Sequence, residues 1–111
     1  MAYDEDLANR IRELVGDHPS LSEKKMFGGL AFLVGGNMAI AASGQGGVLV
    51  RVDPAQSESI VGKSHAETAV MRGRPMDGWL RVADDHVRTQ RELSNWVNLG
   101  VGYAASLPAK K

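Results

Sequence analysis

The chain of 111 residues contains no cysteine, which excludes disulfide bonds, thiolate metal ligands and cysteine nucleophiles. An excess of either charge is also missing, because thirteen basic residues balance thirteen acidic ones. Proteins that bind nucleic acids usually carry a basic excess, so direct nucleic-acid binding is not expected. The formal net charge of zero also removes one barrier to self-association.

Long apolar segments are absent as well. The longest unbroken apolar run, at 30–34, is far too short to cross a membrane. The first residues are acidic and lack the apolar segment of a secretory signal peptide. We therefore expect a cytoplasmic protein. The length fits one domain, which we place at 4–108, followed by a short basic tail at 109–111.

Three segments are predicted to be helices. Asp4 can cap the first helix, Asp53 can cap a short second one that ends near Gly62, and Thr89 with Glu92 forms a capping box for the last and longest. One face of this last helix is expected to be buried. Its apolar positions are Leu93, Trp96, Val97, Gly100, Ala104 and Leu107. Close packing against a sheet would explain why it contains Gly100 and Gly102.

Strand-like segments separated by glycine-rich turns fill the rest of the chain. The first is predicted at 24–34, with a bulge or a close backbone approach at Gly28 and Gly29. Strands at 38–43 and 48–52 complete an antiparallel meander. A second pair, at 68–72 and 79–83, follows the short helix. The predicted order is α-β-β-β-α-β-β-α, an α+β fold with helices packed on an antiparallel sheet.

Residues with catalytic or metal-binding chemistry are few. His18, His65 and His86 lack the spacing of metal ligands and are best interpreted as surface residues. The acidic pair Asp84 and Asp85 does not form a hydrolase motif with these histidines, since the sequence lacks the G-x-S-x-G nucleophile elbow. We therefore expect no catalytic residue, no metal, no cofactor and no enzymatic activity.

Three arginines form the main candidate binding site. Arg72 and Arg74 flank Gly73 at the start of a predicted turn, and Arg81 lies across the predicted hairpin, so together they could bind a carboxylate or a phosphate. The alternative is a solvated rim that keeps a sheet edge soluble. This alternative is favoured because Asp77 and Asp84 are near enough to neutralise the patch.

The central strands indicate self-association. Residues 30–34 and 38–42 are apolar without alternation, so both faces of the sheet should be covered. If the helices cover one face, a second copy of the chain is the simplest cover for the other, in a homodimer with two-fold symmetry. The expected interface residues are Leu30, Phe32, Met38 and Ile40. Alternatively, the helices divide between the faces, or the small alanines leave a tolerable exposed patch. Methionines such as Met38 and Met76 fill the core or form an adaptable peptide-binding surface.

Several motifs resemble the TfoX N-terminal domain family, also called TfoX/Sxy. The most specific are the Lys-Met-Phe-Gly-Gly segment at 25–29 and the Arg-Pro-Met-Asp-Gly-Trp segment at 74–79, and the resemblance covers about 4–108. It implies an α-β3-α-β2-α fold similar to that of secretion chaperones, kinship with regulators of natural competence, and no catalytic residues. We interpret the chain as a small non-catalytic regulatory or adaptor module that acts by protein association. The alternative is a small-anion-binding or ligand-binding domain that uses the turn at Arg72 and Arg74.

Overall fold

The computed structural model describes residues 4–16, 20–26, 28–44, 46–71 and 73–108. Its helices are α1 (Glu5–Val15), α2 (Pro54–Lys63) and α3 (Gln90–Ser106), with a 3-10 turn at Asp84–His86. Its strands are β1 (Leu21–Met26), β2 (Gly29–Val34), β3 (Asn37–Ala42), β4 (Val48–Arg51), β5 (Glu67–Met71) and β6 (Arg74–Val82). They form one antiparallel sheet in the order β1-β2-β3-β4-β6-β5. The predicted α+β class is confirmed.

The predicted first strand is in fact the hairpin of β1 and β2. Met26 pairs with Gly29, and β1 and β2 run antiparallel. Gly28 has φ 75°, in the left-handed region that favours glycine, and a Cβ atom on Gly29 would collide with the carbonyl oxygen of Ala42. The expected close approach therefore occurs at Gly29. The reversal at Gly28 divides the one predicted strand into two, so the sheet has six strands in place of the five predicted. The order of elements is α-β-β-β-β-α-β-β-α.

All three predicted helix caps are confirmed. The Asp4 carboxylate accepts hydrogen bonds from the backbone N–H groups of Asp6 and Leu7, and Asp53 caps α2 in the same way through Ala55. The Thr89 hydroxyl accepts a hydrogen bond from the backbone N–H of Glu92 at 3.1 Å and donates one to its carboxylate at 2.9 Å. These caps satisfy amide groups that the first helical turns leave unpaired. No helix in the described ranges is long and apolar enough to cross a membrane.

The main core lies between the sheet and all three helices. Ile11 of α1 and Leu93 and Val97 of α3 are buried there against strand residues such as Phe32 and Leu80. The prediction for Leu93 and Val97 is thus confirmed. Trp96 and Leu107, which the spacing assigned to the same buried face, are only partly buried. The helix approaches the sheet closely at Gly100, where a Cβ atom would collide with the carbonyl group of Ala39. Gly102 has nothing within 4 Å of that position, so close packing does not explain it.

The alternation of faces along β3 breaks at one residue. Phe32 pairs with Ile40 and Leu33 pairs with Met38, so Ala39 is an extra residue in β3. Such a bulge interrupts the period of two. Ala39 packs with Ala104 of α3, and Ile40 lies in the main core. Both neighbours therefore face the helices, while Met38 belongs to a cluster on the other face.

Candidate functional site

Two of the three predicted arginines, Arg74 and Arg81, lie near opposite ends of β6. Arg74 is exposed at the beginning of β6, paired with Met71. Arg81 is partly buried near the other end of β6, paired with Glu67. Arg72 lies outside the described residues. The placement of Arg74 and Arg81 gives no convergent anion site, and the carboxylate opposite Arg81 opposes the binding of an anion there.

Most of the predicted interface residues lie inside the monomer. Leu30, Phe32 and Ile40 are at most 5% exposed and belong to the core beneath the helices. Met38 lies on the helix-free face and is 4% exposed. The sequence pattern did not distinguish the two faces, because β2 and β3 carry apolar residues on both of them. The bulge at Ala39 also interrupts the alternation along β3.

The helix-free face of the sheet has its own small apolar cluster. The buried members of this cluster are Ala31, Met38, Ala41, Leu49 and Ala69, each at most 8% exposed in the single chain. Leu33 and Trp79 are partly buried against them. The guanidinium of Arg51 lies 5.2 Å from the centre of the Trp79 ring, a cation–π distance. The chain's own side chains thus bury this cluster, so a second copy is not required to cover it.

A groove separates α2 from α3 on the helix-covered face. Two adjoining cavities of about 370 and 300 Å³ share Ile60 of α2 and Leu99 of α3. Trp96 lines one cavity and Tyr103 the other. Trp96, Leu99 and Tyr103 follow the i, i+3, i+7 spacing of one helical face. All are partly buried, so the groove offers an apolar strip about two helical turns long.

Two stacked histidines line the end of the groove that also contains Trp96. The rings of His65 and His86 are parallel within 3°, with centres 4.0 Å apart. The Ser64 hydroxyl donates to the carbonyl of Ile60 at 2.7 Å and accepts from the N–H of Ala66 at 3.2 Å, which shapes the turn that carries His65. His86 ends the 3-10 turn, and Asp84 anchors that turn by accepting from the N–H of Gly47 at 2.9 Å.

The histidine pair has no counterpart in the sequence pattern. The two residues are far apart in the chain, and the sequence alone indicates two separate surface residues. The turns after α2 and β6 bring their rings into contact. Within the ranges that the structure describes, no group of three or more His, Cys, Asp or Glu residues could hold a metal ion. His18 lies outside those ranges.

The two edges of the sheet differ in charge. Strand β1 exposes Glu23, Lys24 and Lys25, the type of residues that protects edges from pairing. The Arg12 guanidinium hydrogen-bonds the Glu23 carboxylate at 2.8 Å, and this contact, against a smaller opposing effect of burial, lowers the pKa of Glu23.

Strand β5, at the opposite edge, has little protection of this kind. Its described side chains include one charged residue, Glu67, and its Val70 is 61% exposed. Met76, on the neighbouring β6, is 37% exposed. Sequence reasoning did not single out Val70, because its strand reads as an ordinary apolar one until its position at the edge is known. An exposed apolar edge strand is a template for pairing with another strand.

The family model of the TfoX N-terminal domain matches residues 13–104. The match extends from the end of α1 to the last turns of α3 and includes all six strands, the groove and both sheet edges. No curated protein and no solved structure matches the chain.

Proposed function

Because the chain belongs to the TfoX N-terminal domain family, we propose that it is a small non-catalytic regulatory or adaptor module of the competence-regulator kind. It works in the cytoplasm and acts by binding a segment of another protein. The groove between α2 and α3 is the observation that carries this proposal.

The shape of the groove suits an amphipathic segment. Grooves between helices commonly bind a partner through apolar side chains spaced at one face of a helix. Here Trp96, Leu99 and Tyr103 form such a row on α3, with Ile60 opposite them on α2. Tryptophan and tyrosine are also enriched among the residues that dominate binding energies. The partner is expected to insert apolar side chains between Ile60 and Leu99.

The rim of the groove carries basic and acidic residues. Lys63 and Glu92 line one cavity and Asp53 lines the other. A rim of mixed charge favours a partner that also carries both charges over a nucleic acid, whose phosphates require basic residues. Electrostatic pairs at the rim would contribute more to the choice of partner than to affinity.

A non-catalytic role agrees with what the polar groups do. The Glu92 carboxylate accepts a hydrogen bond in the cap of α3, and Asp53 caps α2, so these groups have structural partners. The lowered pKa of Glu23 results from its ion pair with Arg12 on the surface between α1 and β1. Catalytic sites typically place a perturbed acid or base inside a cleft, whereas this ion pair lies outside the groove residues.

The test compares two variants of α3 as bait. Leu99→Lys places a charge in the middle of the groove, while Ala105→Lys places the same charge on an exposed position outside the groove's lining. Proteins captured from the native cell by the wild type and by Ala105→Lys, but lost with Leu99→Lys, would support the groove as the binding site. Binding should then be reproduced with the purified partner. Equal capture by all three baits would refute this role of the groove.

A further inference from the structure

We propose that two copies of this chain associate through antiparallel pairing of their β5 strands, which joins two six-stranded sheets into one. The two copies meet at the sheet edge, whereas the proposed partner site lies between α2 and α3. The two proposals are therefore independent.

The exposed edge of β5 is the first argument. This strand ends the sheet, so one row of its backbone N–H and C=O groups has no neighbouring strand among the described residues. Its side chains do not protect that row, because Glu67 is the only charged residue of the strand. The opposite edge strand, β1, carries three charged residues that can protect it, Glu23, Lys24 and Lys25. Charged side chains therefore oppose pairing with another strand at β1, whereas nothing comparable opposes it at β5.

The register follows from symmetry. A two-fold axis perpendicular to the sheet sets each residue opposite one that points to the same face. An axis through Ala69 pairs all five residues of β5. It sets Val70 opposite Thr68 of the partner subunit, and the same pair occurs again on the other side of the axis. Cross-strand pairs of β-branched residues stabilise sheets. This contact would cover Val70, which is 61% exposed in the single chain.

The charges at the ends of β5 are complementary in this register. Glu67 would face Met71 of the partner subunit, and in the partner sheet that residue pairs with Arg74. The partner subunit's Arg74 would therefore lie two strands from Glu67, about 10 Å across the sheet. Long side chains can span this distance. Within its own chain, Glu67 is opposite Arg81, so each Glu67 carboxylate would lie between two guanidinium groups.

The size of the contact sets its strength. A specific interface of standard size buries about 800 Å² on each partner, and a strand of five residues offers less. The pairing is therefore weak, and we expect monomer and dimer to exchange at micromolar concentrations. A zero formal net charge adds no long-range repulsion to such an association.

Sedimentation equilibrium of the full chain, from low to high micromolar concentration, tests this proposal. The wild type should show a monomer–dimer equilibrium. Val70→Lys places two like charges about 7–8 Å apart across the axis and should weaken association by about tenfold or more. Ser22→Lys, the same residue introduced at an exposed position of the β1 edge, should leave it unchanged. Circular dichroism should show that both variants fold, since both sites are exposed.

A charge reversal gives a second test that does not depend on Val70. Glu67→Arg should weaken the dimer, and adding Arg74→Glu should recover part of the association. A wild type that remains a monomer throughout the range overturns the proposal. A dimer that Val70→Lys does not weaken also overturns it. If Leu33→Lys, on the helix-free face, abolishes that dimer, the copies associate through this face and not through β5. Loss of partner capture with Leu99→Lys leaves these results unaffected, so the two proposals can fail separately.

Discussion

Replacing Gly100 with alanine should destabilise the fold, although alanine is the better helix former. In an exposed helix interior, glycine to alanine stabilises by about 1 kcal/mol. At Gly100 the added Cβ atom would collide with the carbonyl oxygen of Ala39 and approach its carbonyl carbon at 3.0 Å and Cγ1 of Val50 at 3.3 Å. Two of these three atoms are backbone of β3, so the helix itself must move away from the sheet.

The magnitude follows from two opposing effects. Overpacking of a core typically costs about 1–3 kcal/mol, which exceeds or matches the gain in helix propensity. Moving α3 would also loosen Leu93 and Val97, which are fully buried on the same face. Subtracting the gain of about 1 kcal/mol leaves a loss of up to about 2 kcal/mol, to which the loosened contacts of Leu93 and Val97 add. A loss of about 2 kcal/mol would lower Tm by about 8–16 °C in a domain of this size.

Gly102→Ala is the matched control. It is the same substitution in the same helix, but its Cβ atom would meet nothing within 4 Å, so only the helix propensity remains. It should stabilise the fold by about 0.5–1 kcal/mol. Urea and thermal unfolding of both variants supply the measurement. If Gly100→Ala is as stable as the wild type, α3 does not approach β3 as closely as described, and if Gly102→Ala is destabilised, this part of α3 has a contact that the structure does not show.

Two further predictions concern the bulge and the ion pair. Ala39→Glu and Ile40→Glu should both prevent folding, because the bulge turns both residues towards the helices. Circular dichroism supplies the measurement. A folded Ala39→Glu variant would contradict the bulge, since in a regular strand one of the two residues would face away from the helices. Glu23→Gln should cost less than about 1 kcal/mol at pH 7, because the pair with Arg12 is partly exposed. Since the folded pKa of Glu23 is lowered, its contribution is complete above the unfolded value of about 4.3 and is lost as the pH falls through the folded pKa. The difference between wild type and Glu23→Gln should therefore vanish in acid, and a difference that persists there would mean that the ion pair is not its cause.

Local signals in the sequence were sufficient for the helices. A cap acts on amide groups two or three residues away, so Asp4, Asp53 and Thr89 could be recognised from their neighbours alone. The apolar spacing of α3 likewise identified its buried face, although it could not say that Trp96 would lie at the wall of a groove rather than beneath it. The motifs at 25–29 and 74–79 identified the family.

Tertiary structure decided the features that depend on distant residues. Whether Gly28 interrupts one strand or reverses the chain depends on which strand pairs with which. The direction of Ala39 depends on a bulge that appears only when β3 is aligned with β2. His65 and His86 are in contact because the turns that carry them are adjacent in the fold. Val70 is an exposed apolar residue on a strand that only the sheet topology identifies as an edge.

Composition and helix-capping motifs were therefore readable from the sequence alone, since they rest on the residue types present and on contacts within about one turn of the chain. Strand order, register and the residues left uncovered at the edges were decided by the tertiary structure. A strand's partner can come from any part of the chain, and a single extra residue moves the following side chains to the other face.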